Sequence, residues 1–273
     1  GPTPTSIEAD PMSRSLTDPA TVREQYADSD NLNARVRLHL DHSVNPKDFV
    51  EWLFDQVALT EDAVVLEAGC GPGWLWRRTQ GRVPASWQLT LTDVSAGMVG
   101  EAQAHLAQCG LEGDVCVADV QRLPFPDAHF DIVFANHMLY HVQDLPAALS
   151  QLRRVLKPGG VLYAATNGER HLGEIDDLLR SARQGLRWRF SKLSFALDES
   201  DQDLAPHFSH VEKRIYEDEL RITRTADLID FIASAITLDD QLRHDLETVI
   251  QRRIDDVGHF YVGKHVGLLI ARA

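Results

Sequence analysis

The feature that most constrains this chain is an alternation of short apolar runs and helical patterns between residues 63 and 167. Five runs rich in Val, Leu, Ile and aromatic residues predict strands, at residues 63–68, 87–93, 114–119, 130–136 and 160–166. Helical periodicity fills three of the gaps, at residues 74–80, 96–108 and 145–156. Strand–helix–strand units at this spacing build a parallel sheet with helices packed on its faces.

The flanking segments extend this α/β core. We expect a Rossmann-like, doubly wound, mostly parallel seven-stranded sheet with N-terminal helices and a helical insertion between its late strands. The later strand material lies at residues 211–222 and 265–273. We predict a disordered tail with a protease-cleavage remnant at residues 1–15 and an N-terminal helical cap at residues 16–58. A ligand-binding core follows at residues 59–170, and the remaining strands with a helical substrate lid at residues 171–273.

Charge and composition limit the partners. Acidic residues outnumber basic ones 41 to 27, which gives a net charge of −14, and no basic run is present. Nucleic acids and anionic membranes are bound through clustered Lys and Arg, so we expect neither as a partner. No apolar run approaches the roughly 20 residues that span a bilayer, and the N-terminus does not resemble a secretory signal. The three cysteines lack CxxC spacing, so a reducing, cytoplasmic compartment is expected.

The stretch VVLEAGCGPGWLW, residues 64–76, reads as a buried strand, a tight turn and the start of a helix. Gly69, Gly71 and Gly73 remove side chains, so that a ligand can approach backbone N–H groups there. The dinucleotide-binding pattern GxGxxG is not met, because Trp74 stands where its last glycine would fall. A merely tight strand–helix turn is the alternative interpretation.

Three carboxylates follow three successive predicted strands. Glu67 ends the first, Asp93 the second and Asp119 the third. The carboxyl ends of parallel strands meet at one edge, where ligands of open α/β sheets bind. A strand-end acid can accept hydrogen bonds from ribose hydroxyls, and another can accept from an adenine amine. Each acid alone could instead be an ordinary helix cap.

These motifs, with VADVQRLPFPDAHFDIVFANHMLYHV and LRRVLKPGGVLYAAT, resemble in order those of class I S-adenosylmethionine-dependent methyltransferases. The resemblance covers about residues 60–167 and implies S-adenosyl-L-methionine as cofactor. It implies that the glycine turn and Glu67 hold the methionine portion and that Asp93 holds the ribose. Asp119 and Val120 are implied at the adenine, and Asn136 and His137 at the methionine end. Val94 is a further cofactor-binding position that the resemblance implies.

The segment NHMLYHV offers a candidate general base. His141, with Tyr140 beside it, lies just beyond the fourth predicted strand at the cofactor edge. It could accept a proton from the acceptor, or it could be a structural residue that packs on the next helix. His137 and His141 are four residues apart, but no carboxylate with matching spacing accompanies them, so no metal site is expected.

The acceptor is expected to be enclosed by the segments outside the core sheet. Candidate substrate-binding residues are Tyr26, Asn167, His171 and Trp188. The predicted function is methyl transfer to an O, N or C nucleophile of a small molecule of secondary metabolism. The alternatives are a nucleotide-dependent oxidoreductase and a non-catalytic module that keeps the cofactor fold for assembly. A homodimer is compatible with the sequence.

Overall fold

A computed structural model describes residues 30–188 and 193–273 of the chain. In chain order its strands are β1 (Val64–Ala68), β2 (Gln88–Asp93), β3 (Gly113–Val117), β4 (Phe130–Phe134), β5 (Leu156–Asn167), β6 (His210–Tyr216), β7 (Glu219–Ile222), β8 (Phe260–Gly263) and β9 (Val266–Arg272). Seven of them form one sheet in the order β3-β2-β1-β4-β5-β9-β6. The first five strands pair in parallel, and β9 runs antiparallel to both neighbours. The predicted α/β fold with a mostly parallel seven-stranded sheet is confirmed.

Helices connect these strands. They are α1 (Asp30–His42), α2 (Phe49–Asp55), α3 (Trp74–Arg78), α4 (Ala96–Gln108), α5 (Leu145–Val155), α6 (Gly173–Ala182), α7 (Ser200–Leu204), α8 (Thr225–Ala233) and α9 (Asp240–Val257). Several begin at side-chain caps that satisfy free backbone N–H groups. Ser95 accepts from Met98 N at 3.3 Å at the start of α4, and Asp239 accepts from Leu242 N at 2.8 Å at the start of α9.

The two faces of the sheet bury two separate hydrophobic cores. Alternate side chains of a strand point to opposite faces. In β1, Leu66 packs with α5, whereas Val65 packs with α2, α3 and α4. Helices therefore cover both faces of the sheet and leave the carboxyl ends of the parallel strands open to a ligand.

A third core lies outside the sheet. Apolar residues of α1, α6, α8, α9, β7 and β8 pack together there, with Leu228 and Ile250 fully buried. The sequence predicted continuous strand material at residues 211–222, which is wrong in one respect. The segment forms two strands, and β7 leaves the main sheet to pair with β8. Ser43, after α1, bridges Leu220 of β7, which ties the N-terminal helix to this third core.

Two sequence-based expectations lie outside the described residues, namely the tail at residues 1–15 and the substrate contact of Tyr26. Among the helices at residues 30–188 and 193–273, none combines the length and the apolar character that crossing a membrane requires.

The third core generates a stability prediction. Ile250 is fully buried, whereas its neighbour Val249 is 46% exposed. Ile250→Ala should lower the free energy of unfolding by about 2–5 kcal/mol, because it removes buried methyl groups and leaves a cavity. Val249→Ala should change it by less than about 0.5 kcal/mol. Chemical denaturation of both variants measures this difference, and equal effects would show that α9 does not anchor the third core.

Candidate active site

A cavity of about 580 Å³ lies at the carboxyl ends of the parallel strands, and residues of α1, α2 and α8 also line it. Its volume lies within the range of small-molecule sites. Of the sequence-predicted site residues, fourteen line it: Glu67, Gly69, Gly71, Asp93, Val94, Asp119, Val120, Asn136, His137, Tyr140, His141, Asn167, His171 and Trp188. Gly73 does not belong to the cavity wall, and Tyr26 lies outside the described residues.

The glycine loop, residues 69–73, is held in a shape that side chains would block. Gly69 has a φ of +68°, and a Cβ there would lie 2.8 Å from Met138 Cβ. Gly73 has a φ of +80° and precedes α3 as its N-cap residue, so it serves the turn instead of the cavity. Backbone without a side chain therefore faces the cavity at Gly69 and at Gly71, on either side of Cys70.

Asp93 fixes this loop from the neighbouring strand. Its Oδ2 accepts from Gly71 N at 2.9 Å, and its Oδ1 accepts from Ser95 N at 2.9 Å. Burial raises the pKa of this carboxyl, while the backbone N–H groups act against the rise. Each oxygen retains a second lone pair, because a carboxylate offers about four acceptor sites. Asp93 can therefore hold the loop and accept from a ligand hydroxyl as well.

Asp119 and two valines define the far end of the cavity. Asp119 lies two residues after the end of β3, not within the strand as the sequence predicted. It caps a short 3-10 helix, Val120–Arg122, and accepts a hydrogen bond from Gln121 N at 2.9 Å. Val120 is buried, whereas Val94 is 44% exposed. An apolar side chain exposed on a cavity wall suits contact with the flat face of a ligand ring.

Glu67 is the most unusual group in the cavity, because it is a carboxyl only 3% exposed at the end of β1. Trp76 Nε1 donates to its Oε2 at 2.6 Å, and Asn136 also hydrogen-bonds to it. Burial raises the pKa of Glu67 to about 8, and the charge of Asp93 adds to the rise. Asn136 Oδ1 is buried and accepts no hydrogen bond from any described residue. Glu67 and Asn136 together thus present acceptor oxygens suited to a cationic ligand group.

The opposite side of the cavity is rich in histidine. His137 follows β4 with a φ of +53°, in a left-handed conformation that non-glycine residues rarely adopt. Burial lowers its pKa to about 4, and the nearby His141 and Lys264 contribute to the shift. His141 ends a 3-10 helix, Leu139–His141, and is half-buried with its ring centroid 4.6 Å from that of Tyr140. His141 can therefore face a ligand, while His137 is neutral near pH 7.

Residues of the third core complete this side. His171 stacks against His39, with ring centroids 6.2 Å apart, and Trp188 stacks on Phe231 at 5.4 Å. Burial lowers the pKa of His39 to about 3 and that of His171 well below its usual value. These imidazoles are neutral near pH 7, so they can act as hydrogen-bonding groups and are poor proton acceptors.

Sequence reasoning missed two cationic residues in the cavity wall. Arg78, on α3, pairs with Asp48, and Lys264, before β9, pairs with the buried Asp218. Helical spacing from Trp74 could have indicated Arg78, because residues four apart share a helix face. Nothing local indicated Lys264. Within residues 30–188 and 193–273, no group of three or more His, Cys, Asp or Glu could hold a metal ion.

The buried carboxyl generates a pH-dependent stability prediction. The pKa of Glu67 is about 8 in the folded protein and about 4.3 in an unfolded chain. Between these values the folded state binds more protons, so the free energy of unfolding falls as the pH rises. Wild-type protein should lose on the order of a few kcal/mol relative to Glu67→Gln between about pH 5 and pH 9. Denaturation of both proteins across this range tests it; parallel pH profiles would contradict the raised pKa.

The similarity to known proteins lies in the same core of the chain. A family model described as "Methyltransferase domain" matches residues 66–164. Malonyl-[acyl-carrier protein] O-methyltransferase of Erwinia billingiae is 40% identical over 115 residues, which make up 41% of this chain and 41% of that protein. The ubiquinone/menaquinone biosynthesis C-methyltransferase of Cupriavidus necator is 35% identical over 96 residues, which make up 35% of this chain and 40% of that protein. The chain thus spans about two fifths of the length of these curated relatives.

A solved structure shows a similar fold over nearly the whole chain. The S-adenosylmethionine-dependent methyltransferase from Aquifex aeolicus has a TM-score of 0.55 at 17% identity, and the match covers 93% of this chain and 98% of that one. The residues that match the family model include the glycine loop and most of the parallel strands of the sheet. Residues 66–164 therefore match a methyltransferase domain in sequence, and the fold around them is similar to that of the Aquifex aeolicus protein.

Proposed function

We propose that this protein transfers the methyl group of S-adenosylmethionine to a small-molecule acceptor. One observation carries the proposal: the glycine loop and the three strand-end carboxylates, Glu67, Asp93 and Asp119, line a single cavity. A ligand with an ammonium group, ribose hydroxyls and an adenine amine, and without phosphates, matches three acids better than a dinucleotide does. For the same reason the oxidoreductase alternative is disfavoured.

The proposed orientation of the cofactor follows from the wall residues. Its ammonium group would lie at Glu67 and Asn136, whose free Oδ1 needs a donor. Its ribose would donate to Asp93, and its adenine would pack on Val94 and Val120 near Asp119. The glycine loop would present its backbone to the ligand, since Gly69 and Gly71 line the cavity without side chains. Tyr140, His137 and His141 would then lie near the methyl group.

The bound cofactor supplies a methyl carbon already activated by the positive sulfur, so an acceptor lone pair can displace the thioether. The protein then has to align the acceptor with the methyl–sulfur bond and exclude water. Alignment of this kind can lower a barrier by about 7–11 kcal/mol. The aromatic wall of Trp188 and Phe231 excludes water, and Asn167 and His171 offer polar contacts to the acceptor.

The proposed acceptor is an oxygen, nitrogen or carbon nucleophile of a small molecule. The two curated relatives are named for O-methylation of a carrier-bound malonyl group and C-methylation in quinone biosynthesis. The second name favours a metabolic small molecule, and the first indicates a small acyl group carried on a protein. The absence of a basic run in a chain of net charge −14 also disfavours nucleic acid as a partner. Action in a reducing, cytoplasmic compartment, and assembly as a homodimer, stay predictions.

The direct test is a binding and transfer assay. Calorimetry should show binding of S-adenosylmethionine and of S-adenosylhomocysteine, and weaker or no binding of NAD. The labelled methyl group of S-adenosylmethionine should then appear on at least one member of a panel of small molecules. The panel contains hydroxyl, amine, carboxyl and carbon nucleophiles. Stronger binding of NAD would contradict the proposal, and cofactor binding without transfer to any acceptor would favour the non-catalytic module.

Protonation of Glu67 predicts a second signature of the same binding event. A pKa of about 8 leaves Glu67 mostly protonated near neutral pH, and an ammonium ligand requires the carboxylate. Binding should therefore release a proton, tighten as the pH rises towards about 8, and show an enthalpy that depends on the buffer. In Glu67→Gln the buffer dependence should vanish. A wild-type enthalpy independent of the buffer would place the ammonium group elsewhere.

His141 is the proposed general base. His141→Ala should leave cofactor affinity unchanged and lower turnover by roughly 10²- to 10⁴-fold when the acceptor must lose a proton. The wild-type rate should rise with pH, because only the neutral imidazole can accept a proton. A structural role would instead lower stability and leave turnover per folded molecule little changed. A stable variant with near-normal turnover would exclude the base.

A further inference from the structure

The proposed orientation assigns no partner to the carboxylate of the cofactor, because the charged groups that it uses, Glu67, Asp93 and Asp119, are all acidic. A carboxylate buried without a donor or a cation would be strongly disfavoured. Two cationic side chains line the cavity within the described residues, Arg78 and Lys264. Lys264 precedes β9, which lies three strands away from β1 in the sheet. At roughly 4.8 Å per strand this is about 14 Å, and Lys264 is already paired with Asp218.

Arg78 lies on the correct side of the sheet. It belongs to α3, the helix that directly follows the glycine loop, and it is about one-third exposed. Its Nη2 donates to Asp48, which also caps α2 by accepting from Val50 N at 2.9 Å. A guanidinium group has five N–H donors, so the ion pair with Asp48 leaves donors for a second carboxylate.

Trp74, four residues earlier on α3, shares a helix face with Arg78 and also lines the cavity. Its indole Nε1 is buried and donates to no acceptor among the described residues. A buried donor without a partner is destabilising, so the position calls for an acceptor in the functional state. Indole and guanidinium are both donors only, and a pair of donors specifies a group rich in acceptors.

Resting on the proposed function, we propose that Trp74 and Arg78 bind the carboxylate of S-adenosylmethionine, beside the ammonium site at Glu67. The tryptophan that replaces the last glycine of a dinucleotide pattern then has a chemical role: it donates to a carboxylate where a dinucleotide would place a pyrophosphate. The protein then recognises both charges at the amino-acid end of the ligand. Acceptors of β1 and of the segment after β4 bind the ammonium group, and donors of α3 bind the carboxylate.

The test compares two ligands that differ only in the carboxylate, S-adenosylmethionine and decarboxylated S-adenosylmethionine. Wild-type protein should bind the first more tightly in calorimetry. Trp74→Phe and Arg78→Gln should each weaken binding of S-adenosylmethionine by about tenfold or more, and leave binding of the decarboxylated ligand unchanged. Equal losses for both ligands, or no loss for either, would overturn the assignment.

Two control variants separate the carboxylate contact from other effects. Arg77→Gln removes a charge from the same helix, where the exposed Arg77 lies over the Trp74 ring, and should retain the wild-type preference. Asp48→Asn removes the ion pair with Arg78 but keeps the guanidinium, so it should retain the preference too. If Asp48→Asn reproduces the loss seen with Arg78→Gln, Arg78 serves α2 and not the ligand.

The outcome also separates this inference from the proposed function. Wild-type protein that binds neither ligand would overturn both. Wild-type protein that binds both ligands equally would leave S-adenosylmethionine as the cofactor and overturn only the assignment of Trp74 and Arg78.

Discussion

The burial of the Glu67 carboxyl is the interaction on which the rest of the site depends. A carboxyl at the end of a central strand has almost no contact with solvent, and one indole N–H from Trp76 holds it in place. Burial keeps it protonated near neutral pH, so the fold tolerates it without a buried charge. A cationic ligand would instead favour the deprotonated, charged form of Glu67. The same group is thus neutral for folding and charged for binding.

The surrounding backbone is built to keep that edge of the sheet open. Asp93 accepts from Gly71 N across the first crossover, and Gly69 lies against Met138 with no space for a side chain. These contacts hold the loop between β2 and the segment that follows β4. On the far side, the third core places neutral histidines and aromatic rings over the cavity, and α1 is tied to that core through the bridge from Ser43 to Leu220.

Local patterns in the sequence predicted the strands and the acids because both are short-range properties. Alternation and apolar runs locate β1 and β2, and the carboxyl ends of parallel strands necessarily share an edge, so Glu67 and Asp93 meet there. The split between β6 and β7 was missed because pairing of β7 with β8 depends on partners some 40 residues away. Lys264 was missed for the same reason, since its place is set by Asp218 and not by its neighbours in sequence.

The measurement that tests the central claim most directly is a crystal structure of the protein with S-adenosylhomocysteine. The account predicts the ligand's amino group at the carboxylate of Glu67, its ribose hydroxyls at Asp93, and its adenine between Val94 and Val120. A ligand bound elsewhere, or bound in this cavity with its amino group away from Glu67, would contradict the account.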